Sequence, residues 1–140
     1  MTNTTTIGAA RWTDLRGKVA VVTGGSRGIG AATASALAAN GATMAVVGRD
    51  EPATEAVVKT IDADGGRAIA VTADCTDEAA VTRARNDIVD RLGPVDVLVA
   101  FAGGNGSPVA SDAETAGHWR QVVEGNLTAP SSPSPRSFPT

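Results

Sequence analysis

Four short runs along the chain are apolar almost throughout and rich in β-branched residues: Val19–Thr23, Met44–Gly48, Ala68–Thr72 and Val95–Phe101. None alternates apolar with polar positions. A strand with one wet face alternates, whereas a strand covered on both faces does not, so these runs predict buried strands of a parallel sheet. Three helical segments lie between them. Ile29–Asn40 is Ala-rich and stops at Asn40-Gly41, a pair suited to a helix end. Glu51–Ala63 follows Asp50, whose side chain can cap a first turn, and stops before Gly65-Gly66. Asp77–Leu92 has Thr76 as its expected cap, acids in its first turn and Gly93-Pro94 as its stop. The order β-α-β-α-β-α-β predicts right-handed βαβ units. A fourth helix is expected over Glu114–Leu127, with Trp119 packed on the sheet or on a partner helix and His118 at the surface. Gly103–Asp112, rich in Gly and Ser, reads as a mobile loop before it.

The pattern breaks at Ala129. From there the chain reads APSSPSPRSFPT and carries four of the seven prolines, Pro130, Pro133, Pro135 and Pro139. No helix or central strand tolerates that spacing. The expected organisation is a flexible segment over 1–14, an α/β domain over 15–129 and a disordered Ser/Pro-rich tail over 130–140.

Composition narrows the function classes. A chain of 140 residues is one domain at most and can bury roughly two-thirds of its unfolded surface. Hydrophobic residues are 42% and charged residues 19%, as in a globular protein. The net charge is −3, and Arg83, Arg85 and Arg91 interleave with Asp87 and Asp90, so no nucleic-acid footprint is expected. Cys75 is the one cysteine and His118 the one histidine, which precludes an intrachain disulfide or a His/Cys metal cluster. With no apolar run of membrane-spanning length, no membrane partner is expected and a cytoplasmic location follows as the default.

Chemistry concentrates at Thr23-Gly24-Gly25-Ser26-Arg27-Gly28-Ile29-Gly30, between the first strand and the first helix. Glycines there allow a tight turn, close approach of a pyrophosphate and close packing of helix on strand. The unpaired amides and positive dipole end of the helix then hold the anion. At the end of the second strand, Gly48 stands where a carboxylate would bind ribose hydroxyls, and Arg49 follows. Arg27 and Arg49 on one rim favour a 2′-phosphate, so NADP(H) is expected over NAD(H). The competing reading makes Asp50 the ribose acid and both arginines surface charges.

The spacing Thr23, Gly24, Gly28, Gly30, within the run Asp14–Gly30, resembles the fingerprint of the short-chain dehydrogenases/reductases. Its glycine spacing argues against the extended branch of that family. The resemblance covers about Asp14 to Ala129. It implies a three-layer, Rossmann-like, doubly wound parallel sheet, incomplete here at about four strands, and NAD(P)-linked interconversion of alcohol and ketone or enone. It also implies roles for single residues. Thr23, Gly24, Ser26, Arg27, Gly28, Ile29 and Gly30 would cradle the dinucleotide. Asp74 would accept from the adenine amino group, with Cys75 beside it as small apolar filler. Ala102 and Gly103 match the end of the family's Asn-Asn-Ala-Gly motif. Asn126 matches the Asn of its proton relay.

The chain departs from the family at two places. Ala100 and Phe101 replace the two asparagines of that motif, which puts the geometry of the strand end in question. The family's Tyr-x-x-x-Lys motif has no match, because the sequence holds no tyrosine and its lysines are Lys18 and Lys59. Three readings stay open on the sequence: a truncated or frameshifted enzyme; a non-catalytic dinucleotide-binding or regulatory module; and an interaction protein that self-associates or docks on a full-length relative.

Overall fold

The computed structural model describes residues 13–104 and 109–128. After a short 3-10 turn at Thr13–Leu15, the elements run β1 (Val19–Thr23), α1 (Gly28–Ala39), β2 (Thr43–Gly48), α2 (Glu51–Ala63), β3 (Arg67–Thr72), α3 (Glu78–Leu92), β4 (Val97–Ala100) and α4 (Ala116–Val123). The expected tail over 130–140, most of the expected 1–14 segment and part of the expected loop lie outside the described residues.

The four strands form one parallel sheet in the order β3-β2-β1-β4. Val19–Thr23 pairs with Thr43–Val47 on one side, and Ala20–Thr23 pairs with Val97–Ala100 on the other. The chain therefore steps outward twice from β1 and then crosses back to its free side. That reversal opens a crevice at the carboxyl ends of β1 and β4, where ligands of open α/β sheets bind.

Successive side chains of a strand point to opposite faces. Val19, Val21, Ala45, Val47 and Val71 pack with Val81, Ala84 and Ile88 of α3. Ala20, Val22, Met44 and Val46 pack with Ala34 and Ala38 of α1 and Ile61 of α2. All five residues of β1 are buried, which accounts for its unbroken apolar run. This is the parallel sheet that the strand pattern predicts, in the three-layer, doubly wound α/β arrangement that the family resemblance implies.

Boundaries differ from expectation for local reasons. Asp77, not Thr76, caps α3: its Oδ1 accepts from the amides of Ala79 and Ala80 at 2.9 and 3.3 Å. The fourth strand is shorter than Val95–Phe101, although the Asp96 and Phe101 amides still donate to Val19 and Thr23 of β1. The fourth helix starts later than Glu114, because the Thr115 hydroxyl caps it by accepting from the His118 amide at 3.1 Å. It ends at Val123 in a wider π-type turn over Glu124–Thr128. Trp119 does not pack on the sheet: it is 64% exposed. His118 is half-buried rather than at the surface, and its Nδ1 meets Glu114 Oε1 at 2.8 Å.

Candidate functional site

The strand-to-helix turn after β1 is built from glycines with different duties. Gly24 has φ +67°, and a Cβ there would stand 2.5 Å from the Phe101 carbonyl oxygen. A Cβ on Gly30 would overlap the carbonyl oxygen of Gly24. These two positions let α1 and β4 close on the turn. Gly28 has φ +55°, and a Cβ there would meet nothing within 4 Å. Its surroundings are the open space that an approaching anion needs.

Backbone bonds hold the surrounding strand ends in place. The amide of Gly25 donates to Val47 O at 3.0 Å, that of Phe101 to Thr23 O at 3.0 Å, and that of Ala73 to Gly48 O at 3.1 Å. Thr23 is 1% exposed, and its Oγ1 accepts from the Ala102 amide at 3.3 Å. Its side chain therefore ties β1 to the end of β4 and does not line the crevice.

Together these ends enclose a groove of about 950 Å³. Gly24, Ser26, Arg27, Ile29 and Gly30 form one wall. Gly48, Arg49 and Asp50 follow from β2, and Asp74, Cys75 and Thr76 from β3. Phe101, Ala102, Gly103 and Gly104 close the β4 side, with Gln121, Val122 and Glu124 across from them. Of the residues singled out by sequence, Thr23, Gly28 and Asn126 stand next to this lining rather than in it.

The end of β2 shows why the acid expected of many dinucleotide sites is missing. A Cβ on Gly48 would lie 2.6 Å from Thr54 Oγ1 and 3.1 Å from Ser26 Cβ. A side chain at that position would have to displace Thr54 and Ser26. Asp50 is already engaged: its Oδ1 caps α2 by accepting from the Ala53 amide at 3.1 Å, and its Oδ2 stands 3.7 Å from Arg27 Nη2. Arg49 is exposed and has no ion pair among the described residues. It is the cation on this rim that is open to a ligand.

On the β3 side, Asp74 Oδ1 accepts from the amide and the hydroxyl of Thr76 at 2.9 and 2.6 Å. The Thr76 hydroxyl, then its amide, with Arg49 adding a smaller pull, keep this carboxyl below its ordinary pKa. It remains an anion and a pure acceptor at neutral pH. Cys75 is 7% exposed, packed in the α3-side core. Burial and then the Asp74 charge push its thiol up, so it stays protonated and inert.

Asn126 reaches back from the π-type turn. Its Nδ2 donates to Gly104 O at 2.6 Å and to Val122 O at 2.7 Å, while its Oδ1 accepts from the Gly104 amide at 3.0 Å. The side chain thus clamps the β4 loop to the end of α4, with both of its amide protons donated to backbone carbonyls. Sequence reasoning singled out Asn126 but missed this grip. It also missed Gly104, Thr76 and the Phe101 carbonyl as parts of the wall. The absence of a side chain at Gly24 is the signal for the last of these.

No group of three or more His, Cys, Asp or Glu that could hold a metal occurs among the described residues. Nor is any described helix long and apolar enough to cross a membrane.

Comparison with known proteins gives a consistent answer. The short chain dehydrogenase family matches residues 18–139. A short chain dehydrogenase of Pseudocercospora fijiensis is 40% identical over 117 residues, which are 83% of this chain and 38% of the relative. A 3-oxoacyl-[acyl-carrier-protein] reductase of Synechocystis is also 40% identical over 117 residues, 83% of this chain and 47% of the relative. The crystal structure of a metagenomic short-chain oxidoreductase in complex with NADP superposes with a TM-score of 0.77 at 36% identity, over 89% of this chain and 56% of that one. The chain thus spans less than half the length of these two curated relatives. It belongs to the short chain dehydrogenase family.

Proposed function

We propose that this chain supplies the dinucleotide-binding half of an oxidoreductase that moves a hydride between NADP(H) and an alcohol or carbonyl compound. The observation that carries the reading is the turn Gly24–Gly30. Three of its glycines, Gly24, Gly25 and Gly30, are closed by packing, and Gly28 among them is open beside the groove. A pyrophosphate over Gly28 would meet the first amides of α1, which have no partner within the helix, and the positive end of its dipole. Ser26, Arg27, Ile29 and Gly30 would border it. Asp74 would accept from the adenine amino group with Cys75 packed beneath, and Ala102 and Gly103 would pass close to a ribose. When bound, the nicotinamide supplies or accepts the hydride.

The choice of NADP(H) over NAD(H) rests on charge. Gly48 leaves no acid to repel a 2′-phosphate, Asp50 is spent on the α2 cap, and Arg49 is free to meet the phosphate. Arg27 would join it by giving up a distant, exposed partner. Charge-assisted bonds from guanidinium to phosphate are among the strongest in proteins. Arg49→Ala should weaken NADPH binding by about 1–3 kcal/mol, the range for a hydrogen bond to a charged group, and leave NADH nearly unchanged. Calorimetric titration of both nucleotides checks this, and equal losses would make Arg49 merely structural.

These 140 residues would hold the nucleotide without turning substrate over. The family's acid/base group is a tyrosine, and the sequence has none. Neither lysine borders the groove: Lys18 pairs with Asp96 at the amino ends of the strands, and Lys59 is exposed on α2. The Asn126 amide does not exchange protons near neutral pH and is engaged by backbone. Its part here is to position the Gly103-Gly104 segment.

A further inference from the structure

The sequence predicts Thr76 as the cap of α3, and Asp77 performs that role instead. The Thr76 hydroxyl is therefore available for something else, and its partner is Asp74 at 2.6 Å. The Thr76 amide bonds the same Oδ1 at 2.9 Å. The turn beneath is fixed by the Asp77 amide, which donates to Asp74 O at 3.1 Å. Oδ2 of Asp74 has no hydrogen bond from the described residues. An exposed carboxylate ordinarily rotates and exchanges its two oxygens, and two donors on one oxygen oppose that rotation.

We infer that Thr76 is a positioning residue: its hydroxyl fixes the Asp74 carboxylate so that the free oxygen reads an exocyclic amino group on the base of a nucleotide held in the groove. The inference rests on the dinucleotide reading of the groove and adds a specificity device to it. An ionised carboxylate only accepts hydrogen bonds. An amino-purine offers it a donor. An oxo-purine at the same place sets one acceptor against another and forfeits the bond. Both residues border the groove, so the device stands where a base would enter.

The test uses the full 140-residue chain and two probes, NADPH and its hypoxanthine analogue, deamino-NADPH. Both carry the same phosphates and nicotinamide, so a general loss of the groove weakens them equally. The native chain should prefer NADPH by about tenfold, the lower range for one hydrogen bond to a charged group. Thr76→Val keeps the amide and the β-branch but loses the hydroxyl. It should weaken NADPH, leave deamino-NADPH nearly unchanged and reduce the preference to about threefold or less, as the carboxylate regains its rotation. Thr76→Ser should restore it. Should valine disturb the turn, Thr76→Ala makes the same deletion without the branch. A preference that survives both variants, or one absent from the native chain, overturns the inference while the groove reading stands. A native chain that binds neither probe removes the groove reading and this inference with it.

Discussion

At the scale of single residues, the site is legible where glycine has a steric duty and obscure where a polar side chain serves its own backbone. Gly24, Gly28 and Gly30 stand out in the sequence, and the structure divides their labour into two packed positions and one open one. The division yields a prediction. Gly30→Ala puts a methyl into the Gly24 carbonyl and should lower the unfolding free energy by about 1–3 kcal/mol, as overpacking does in a tight interior. Urea unfolding measures this, and a neutral outcome would mean that α1 and the turn are not held together as described. By contrast, the pairings of Asp74 with Thr76 and of Asn126 with Gly104 could not be read from residue types. Both involve polar side chains that equally suit caps and turns, so their residue types do not tell which partner they take.

At the scale of elements, β1, β2 and β3 are readable because burial on both faces leaves no polar position to confuse the period. Helix ends are readable where glycine adopts a left-handed φ, as at Gly41, Gly65 and Gly93. The fourth helix is not, because the Asn126 amide competes for the Val122 carbonyl and opens a wider turn. The amino end of β4 carries a testable charge. Asp96 Oδ2 accepts from the Val19 amide at 2.9 Å, and its Oδ1 from Lys18 Nζ at 3.3 Å. The Val19 bond first, then Lys18, holds this carboxyl below its ordinary value. A carboxyl whose folded pKa is depressed stabilises the fold fully above its unfolded pKa, and the contribution is lost as pH falls through the folded one. Asp96→Asn should therefore be less stable than the native chain at pH 7, and the gap should close below about pH 4, the ordinary range of an aspartate. Unfolding curves of both chains at pH 7 and at successive points below pH 4 check the sign. A gap that widens in acid would contradict the assignment.

At the scale of the whole molecule, strand order explains why the site lies where it does. Two crossovers outward and one back leave a crevice at the carboxyl ends of β1 and β4, and the glycine turn enters it there. The family's acid/base tyrosine is absent from this sequence, so nucleotide binding and turnover should separate. Proton transfer from a placed acid contributes about 10²–10⁴ in rate, and a pocket wall that positions substrate contributes more. Incubation of this chain with NADPH and a panel of ketones should show no steady oxidation of the nucleotide. Steady turnover would contradict this separation.

The most direct test of the account is an equilibrium titration of the 140-residue chain with NADPH, followed by nicotinamide fluorescence, with Gly28→Val alongside. A valine side chain at Gly28 would occupy the approach that the open glycine leaves for the pyrophosphate. The account predicts saturable binding to the native chain and none to a Gly28→Val chain that keeps its far-ultraviolet spectrum. Equal binding by the two chains, or no saturable binding by the native one, would contradict it.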